Sequence, residues 1–342
     1  MNVLKNNVLM VTEKWCDGTP KLALTNNFHN LFNTFSQTQN EYRFNTIHLD
    51  EARVVFDRHV DEILVDYCKK WDVHIIIYSL LGGSPLNPSH ETHKKLKELG
   101  VYQAFMWPDC GPGFGTQTML QLEGISDLHI SWDNPKSPYH DKFQWPDTYL
   151  NLWVPQDKYL FYKQPEQDIE VSFIGSPRYY DRSIFIKHLM ANHPSAVIRG
   201  GQREEKLTPE GYAELIRRSK ISLNFSLSPA GFFQTKGRVF EVLACGSLLL
   251  EFKNPSTASL FTPDKDYVQF DSPQDMVNKI RYYSEHEDER AAIAEQGYKT
   301  YQEKFTSQKF WDTIMARIQE DLIKYEAQTI SNITSNSSGQ VG

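Results

Sequence analysis

The residues best suited to chemistry in this 342-residue chain cluster in one stretch, Phe232 to Phe252, whose centre reads Lys236-Gly-Arg-Val-Phe-Glu241. Lys236 and Arg238 stand where the apolar spacing predicts a helix start, with the helix running from Lys236 to Cys245 and ended by Gly246. At such a start, unpaired backbone N–H groups and the positive end of the helix dipole add to the two cations, which makes a place for a phosphate or diphosphate. Glu241 lies three residues past Arg238, one turn on and on the same face. A carboxylate there can accept two hydrogen bonds from a ribose diol one step beyond the phosphates. The same spacing also suits an Arg238–Glu241 surface ion pair beside a solvated lysine, and spacing alone does not choose between them.

Other candidates are more ambiguous. Asp109 directly follows a predicted strand inside Trp107-Pro-Asp-Cys-Gly-Pro-Gly-Phe-Gly115, and Asp133 follows Ser131-Trp132 in the same way. Either could sit at a cleft edge, though an Asx-turn or a helix cap is the commoner use of such an aspartate. Asp17-Gly18 follows the first predicted strand, where backbone often approaches a ligand closely, but a plain turn explains it as well. His29, His48, His74 and His129 fall on apolar-periodic elements and read as core residues. Gly111-x-Gly113-x-Gly115 does not fit the Gly-x-Gly-x-x-Gly dinucleotide fingerprint, so no nicotinamide cofactor is expected. Trp107, Phe114, Trp132, Tyr139, Trp145 and Trp153 could stack on sugars or bases, though such residues more often pack in cores. No Asp-x-Asp pair beside a strand end and no His/Cys cluster calls for a metal.

The elements that must position these groups alternate strand with helix. In the first half, strands are predicted over Asn7–Thr12, Tyr42–Leu49, Val73–Leu80, Val101–Trp107, Leu128–Trp132 and Thr148–Val154. The run Val-His-Ile-Ile-Ile-Tyr-Ser-Leu80 is continuous enough for a strand buried on both faces. Helices are expected around Leu22–Phe35, over Glu51–Lys70 and up to Leu99. The polar segment Tyr162–Asp168 reads as a linker, after which the pattern restarts. Strands are predicted over Ile169–Ile174, Ala196–Arg199, Ile221–Phe225, Ser247–Phe252 and Tyr267–Phe270, with helices between them and from Ser272 to about Glu326. Two such units in series predict two parallel sheets covered by helices, with ligands held beyond the carboxyl ends of the strands. Residues 327–342 form a Ser/Asn/Gly-rich tail expected to be disordered.

Composition narrows the class. Hydrophobic residues at 40% and aromatics at 13% support a sizeable core and exclude disorder for most of the chain. The formal charge of −7, with Lys94-Lys95-x-Lys97 as the densest basic cluster, disfavours nucleic acid without excluding it. No apolar run is long enough for a membrane span. The first residues lack the apolar stretch of a signal peptide, and the four cysteines have neither metal nor disulfide spacing. A reducing, cytoplasmic setting is the expectation.

The run Lys-Gly-Arg-x-Phe-Glu-x-Leu-Ala-x-Gly-x-Leu-Leu from Lys236, with Phe261, Val268-Gln-Phe270, Lys279-Ile-Arg-Tyr-Tyr283 and Arg290-x-x-Ile-Ala-x-x-Gly297, resembles the C-terminal domain of CgeB/YkvP-type glycosyltransferases. Val171-Ser-Phe-Ile-Gly-Ser176, Arg182 and Lys220-Ile-Ser-Leu-Asn-Phe225 extend the likeness upstream, so it covers about residues 169–312. Trp107-Pro-Asp109 and Ser131-Trp-Asp133 match the group only in order and spacing. The resemblance implies the GT-B fold, with an N-terminal Rossmann-like domain over 1–161 on the acceptor side. A second such domain over 169–305 would hold a nucleoside-diphosphate-sugar donor, and a helix over 306–326 would pack back on the first.

It also implies roles. Glu241 would bind the donor ribose, and Lys236 and Arg238 the diphosphate. Gly175, Ser176 and Arg182 would form the first phosphate-side loop, and Arg199 and Gly200 would lie near the base. Gly18 joins the donor set on its place after the first predicted strand, apart from the resemblance. Charge on the leaving diphosphate would be met by lysine and arginine without a metal or other cofactor. If the reaction inverts, Asp109 is the first choice of base and Asp133 the second acceptor-side carboxylate. One departure is plain. Many retaining enzymes of the fold carry a Glu eight positions before the ribose-binding one, where this chain has Phe233. A non-catalytic surface-assembly protein of the same fold and a sugar-nucleotide epimerase are the alternatives, and slow donor hydrolysis by a transferase separates the first from it.

Overall fold

The computed structural model describes residues 5–15, 18–21, 24–25, 27–80, 84–107, 121–132, 148–177, 182–200, 207–226 and 233–338. Its first sheet has six parallel strands: β1 (Asn7–Thr12), β2 (Arg43–His48), β3 (Ile75–Ser79), β4 (Tyr102–Trp107), β5 (Leu128–Ser131) and β6 (Tyr149–Asn151), in the order β2-β1-β3-β4-β5-β6. The second has five: β7 (Ile169–Ile174), β8 (Val197–Arg199), β9 (Ser219–Asn224), β10 (Leu248–Phe252) and β11 (Val268–Phe270), in the order β11-β10-β9-β7-β8. All pairings between strands are parallel. Read from the first strand of each, the two sheets have the same winding: the second strand lies on one side of the first and the third strand on the other. The crevices between β1 and β3, and between β7 and β9, are therefore the switch points where such sheets take ligands.

The continuous apolar run around Ile75 behaves as its composition dictates, and every residue of β3 is buried. Helices cover both faces of each sheet. In the first unit these are α1 (Thr34–Thr38), preceded by a π-helical turn Phe28–Asn33, then α2 (Leu49–Val54), α3 (Leu64–Lys70) and α4 (His90–Glu98). In the second they are α5 (Arg182–Asn192), α6 (Pro209–Arg218), α7 (Gly237–Ala244), α8 (Pro255–Ala258), α9 (Pro273–Glu285) and α10 (Glu287–Lys304). The Thr208-Pro209 start of α6 forms as its sequence predicts, with the Thr208 hydroxyl accepting from Gly211 N at 3.1 Å.

The last helix, α11 (Ser307–Ser338), returns to the first sheet. Phe310, Trp311, Ile314, Met315, Ile318 and Leu322 join Val8, Met10, Ile75 and Ile77 in one buried cluster. Trp311 is fully buried, and its Nε1 donates to Thr34 Oγ1 at 2.8 Å. Each such side chain contributes roughly 1.5–3 kcal/mol by leaving water. The chain thus crosses between the units twice, near Trp153–Phe161 and at Phe305–Ser307. The crossings touch: the Trp153 ring lies 5.4 Å from Phe305, and the Ser307 hydroxyl donates to the Gln156 carbonyl.

Two expectations need correction. The tail read as disordered over 327–342 is helical as far as Ser338. A helix already nucleated by its packed first half extends at little cost until a breaker arrives, and the first glycine is Gly339. The single helix expected over Glu51–Lys70 is broken into α2, a short turn Val60–Glu62 and α3. Asp57 has a left-handed φ of 48°, and His59 starts the turn by accepting from Asp61 N while Glu62 caps the His59 N–H. Val54 and Val55, within the helix expected over Glu51–Lys70, are exposed. No described helix is long and apolar enough to cross a membrane.

Candidate functional site

The residues singled out in the second unit converge on the carboxyl edge of its sheet, at the β7/β9 switch point. β7 ends into Gly175 and Ser176, and β8 into Gly200. Gly175 N donates to the Arg199 carbonyl at 2.8 Å. The two glycines meet backbone to backbone: at Gly200, with φ 94°, a Cβ would stand 3.2 Å from Gly175 N. A side chain there would need both strain and displacement, so glycine at this contact is a steric requirement. Arg199 is exposed beside it. Arg182, at the start of α5, ties the edge together. Its guanidinium donates to the Ser176 carbonyl at 2.9 Å and the Phe225 carbonyl at 3.0 Å, and lies 5.5 Å from the Phe225 ring centroid.

β9 leads to Lys236, the N-cap of α7, in extended conformation and without a side-chain cap hydrogen bond. One turn of helix sets Arg238 and Glu241 on a common face toward α6. There Tyr212 completes a partly buried triad. Arg238 Nε donates to the Tyr212 hydroxyl at 2.7 Å, that hydroxyl donates to the Glu241 carboxylate, and Arg238 Nη1 donates to the Ile174 carbonyl at the end of β7. Arg238 Nε is 3.6 Å from Glu241 Oε2, with the two side chains 18% and 7% exposed. The ion pair allowed by the spacing therefore exists, with the carboxylate buried and the guanidinium largely withdrawn from solvent. Burial pushes the Glu241 carboxyl above its ordinary range, against the pull of Arg238 and of the hydrogen bonds from Tyr212 and Arg238. Burial works against the Arg238 charge too, but Tyr212 and Glu241 outweigh it and hold the guanidinium protonated. The other Glu241 oxygen faces Gly237, where a Cβ would press within 3.3 Å of Oε1. The glycine between Lys236 and Arg238 keeps that oxygen approachable.

Tyr212 was not legible as a site residue. Its only signal is position, one turn after the Thr208-Pro209 cap, and nothing in the sequence says that this turn faces Arg238. His29 is buried as read, at the junction of the two units, with Nδ1 3.9 Å from Asp157 and Nε2 3.9 Å from Glu210. His129 is the core residue expected, bonded to Trp107 Nε1 at 3.0 Å and Ser126 Oγ at 2.5 Å, and burial lowers its pKa to about 4. Gly18 (φ 66°) sits in a turn of the first unit, its N–H donating to the Trp15 carbonyl at 3.1 Å. The Asp50 carboxylate anchors that loop by accepting from Lys14 N and Trp15 N. Asp109 and Asp133 lie outside the described residues. The strands before them, β4 and β5, end on the edge of the first sheet that meets the second. There a cavity of about 220 Å³ separates Trp132, Asn151 and Trp153 from Thr235, Ser256 and Leu260.

A glycosyl transferase-like family model matches residues 157–316, which contain this whole second-unit site. No curated protein matches the chain. Among solved structures the chain is similar to HepE from Anabaena in complex with UDP, at 10% identity and TM-score 0.64 over 91% of this chain and 100% of that one. A glycosyltransferase from Rickettsia africae (11%, TM-score 0.59, 94% and 99%) and sucrose-phosphate synthase from Thermosynechococcus elongatus (10%, TM-score 0.58, 95% and 100%) are similar too. At these identities the likeness is one of architecture. The two parallel sheets are those of the GT-B fold.

Proposed function

We propose that the chain is a glycosyltransferase that moves a sugar from a nucleoside-diphosphate sugar to an acceptor hydroxyl. The observation that carries this reading is the partly buried Arg238–Tyr212–Glu241 triad beside Lys236 at a helix start, on the switch point of the second sheet. The family match over 157–316 and the GT-B architecture, seen in HepE with UDP and with UDP-glucose, support it. In this reading the second unit (169–305) holds the donor and the first (1–161) presents the acceptor. Glu241 Oε1 takes the ribose diol, while Gly175, Ser176 and Gly200 bring backbone close to the nucleotide and Arg199 lies beside the base. Arg182 holds the loop ends in place.

As the anomeric carbon–oxygen bond to the diphosphate breaks, its electron pair stays on the departing phosphate oxygen. Lys236 and Arg238 meet that growing charge from fixed positions, so little reorganisation is required in the transition state. The acceptor oxygen forms the new bond and loses its proton to a base, for which Asp109 and then Asp133 are the proposed residues.

The test is direct. The purified chain is incubated with UDP-, GDP-, ADP- and dTDP-sugars, following both thermal shift and release of nucleoside diphosphate. A ligand at 100 times its Kd stabilises by ~2.7 kcal/mol, and a transferase without its acceptor leaks slow hydrolysis. Absence of both a shift and hydrolysis with all four sugars would overturn the reading. Because the positive charge is supplied by side chains, turnover is expected to be unchanged by EDTA. Loss on chelation with recovery on Mg²⁺ or Mn²⁺ would reveal a metal in the reaction.

A further inference from the structure

Beneath the donor edge lies a buried carboxylate that the proposed chemistry does not use. Glu251, in β10, has no solvent exposure. Its Oε1 accepts from Ser226 Oγ at 2.5 Å, Asn224 Nδ2 at 3.0 Å and Asn254 Nδ2 at 3.3 Å. Its Oε2 is buried without a hydrogen-bond partner. These partners are the fastenings of the chain that leads from β9 to α7. Ser226 O accepts from Gln234 N at 3.2 Å, and Asn254 Nδ2 donates to the Gln234 carbonyl at 2.9 Å. The Ser256 hydroxyl adds a bond to the Phe233 carbonyl at 3.2 Å. Gln234 is two residues from Lys236, the N-cap of α7.

We propose that Glu251 is the positioning residue of the anion-binding end of α7: through Ser226 and Asn254 it sets where Lys236 stands, without touching the nucleotide. The inference rests on the donor-site reading above. One acceptor atom gathers Asn224 of β9, Ser226 just beyond it and Asn254 at the α8 cap; Asn254 holds Gln234 through its side chain and Ser226 through its backbone carbonyl. Shortening this side chain releases the fastening from both sides at once. Arg238 and Glu241, one turn further on, have their own anchor in Tyr212 and Ile174, so the loss falls first on the lysine end.

The neutral carboxyl is the form that suits this role. Burial raises the Glu251 pKa to about 7, against the hydrogen bonds from Ser226, Thr257, Asn254 and Asn224. Besides those groups Glu251 faces Tyr267, ahead of β11, whose phenol burial and Glu251 itself keep protonated. The largest influences on Glu251 are its burial and these hydrogen bonds, with no basic side chain among them. Above pH 7 an anion therefore stands buried behind a site built for a diphosphate.

Calorimetric titration of wild type, Glu251→Gln and Glu251→Ala tests this, using whichever of UDP-glucose, GDP-fucose and ADP-glucose binds the wild type most tightly. The diphosphate diester of these probes keeps its charge between pH 6 and 8.5. Wild-type affinity is expected to fall about tenfold across that range. Glu251→Gln, which copies the shape of the neutral acid, is expected to bind within twofold of wild type at pH 6 and to show a flat profile. Glu251→Ala is expected to bind at least tenfold more weakly at pH 6. Should it fail to fold, the Gln and wild-type profiles alone decide. Superimposable pH profiles for wild type and Glu251→Gln, or a folded Glu251→Ala within twofold of wild type, overturn the inference while leaving the donor site standing. A wild type that binds none of the three sugars removes the donor-site reading and this inference with it.

Discussion

Lys236→Ala is expected to lower turnover of the nucleotide-sugar by about 10²–10³-fold, the ~2.7–4 kcal/mol that one preorganised charge contact gives a transition state. The donor KM should change far less. The charge Lys236 meets is small in the bound diphosphate sugar and largest as the leaving oxygen takes up the bonding electrons, so the loss belongs in kcat. The fold should survive, since Lys236 opens α7 with its backbone and makes no side-chain cap hydrogen bond to the helix. Steady-state kinetics with the cognate donor checks this. A variant with unchanged kcat and a raised KM would make Lys236 a uniform binder with no part in the chemistry. Arg238→Ala is a poorer first test, because its guanidinium also holds the Ile174 carbonyl and Tyr212.

Glu241→Ala is expected to cost about 3–5 kcal/mol of stability, because it leaves the Arg238 charge, largely withdrawn from solvent, without its partner. Equilibrium denaturation against wild type measures this. A surface pair of the same spacing would lose at most ~1 kcal/mol, so the outcome separates a triad under the switch point from a solvated ion pair. Nucleotide affinity should also weaken, by about 1.5–3 kcal/mol for hydrogen bonds to a charged group. Glu241→Gln retains an acceptor for Tyr212 and should recover part of the stability but little of the ribose binding. A Glu241→Ala protein as stable as wild type, with unaltered nucleotide affinity, would remove Glu241 from the site.

Much of this molecule is legible without coordinates. Strands buried on both faces need continuous apolar runs, and those of β3 and β10 stand out. Thr208-Pro209 and Ser272-Pro273 announce helix starts because cap and N1 chemistry is local. The placement of Lys236, Arg238 and Glu241 on one turn follows from helical spacing and holds. Failures of the reading share a cause. A single helix is expected over Glu51–Lys70, yet it ends at Val54 ahead of a left-handed Asp57, and a backbone break of that kind leaves little trace in an apolar pattern. The tail beyond Glu326 looks disordered by composition, but the helix was already paid for by contacts that begin at Phe310.

By itself, the sequence determined the local terms: which segments are strand or helix, where α7 begins, and that two cations and a carboxylate share its first turns. Whether Arg238 and Glu241 form a solvated pair or a partly buried triad depends on Tyr212, which lies 26 residues from Arg238 and reaches it only because α6 packs beside α7. The same holds for Glu251, 25 residues from the Ser226 hydroxyl it accepts. Parallel strands are joined through helices, so each strand end meets partners distant in sequence. Spacing along the chain carries no record of that adjacency; the winding order of the sheet decides it.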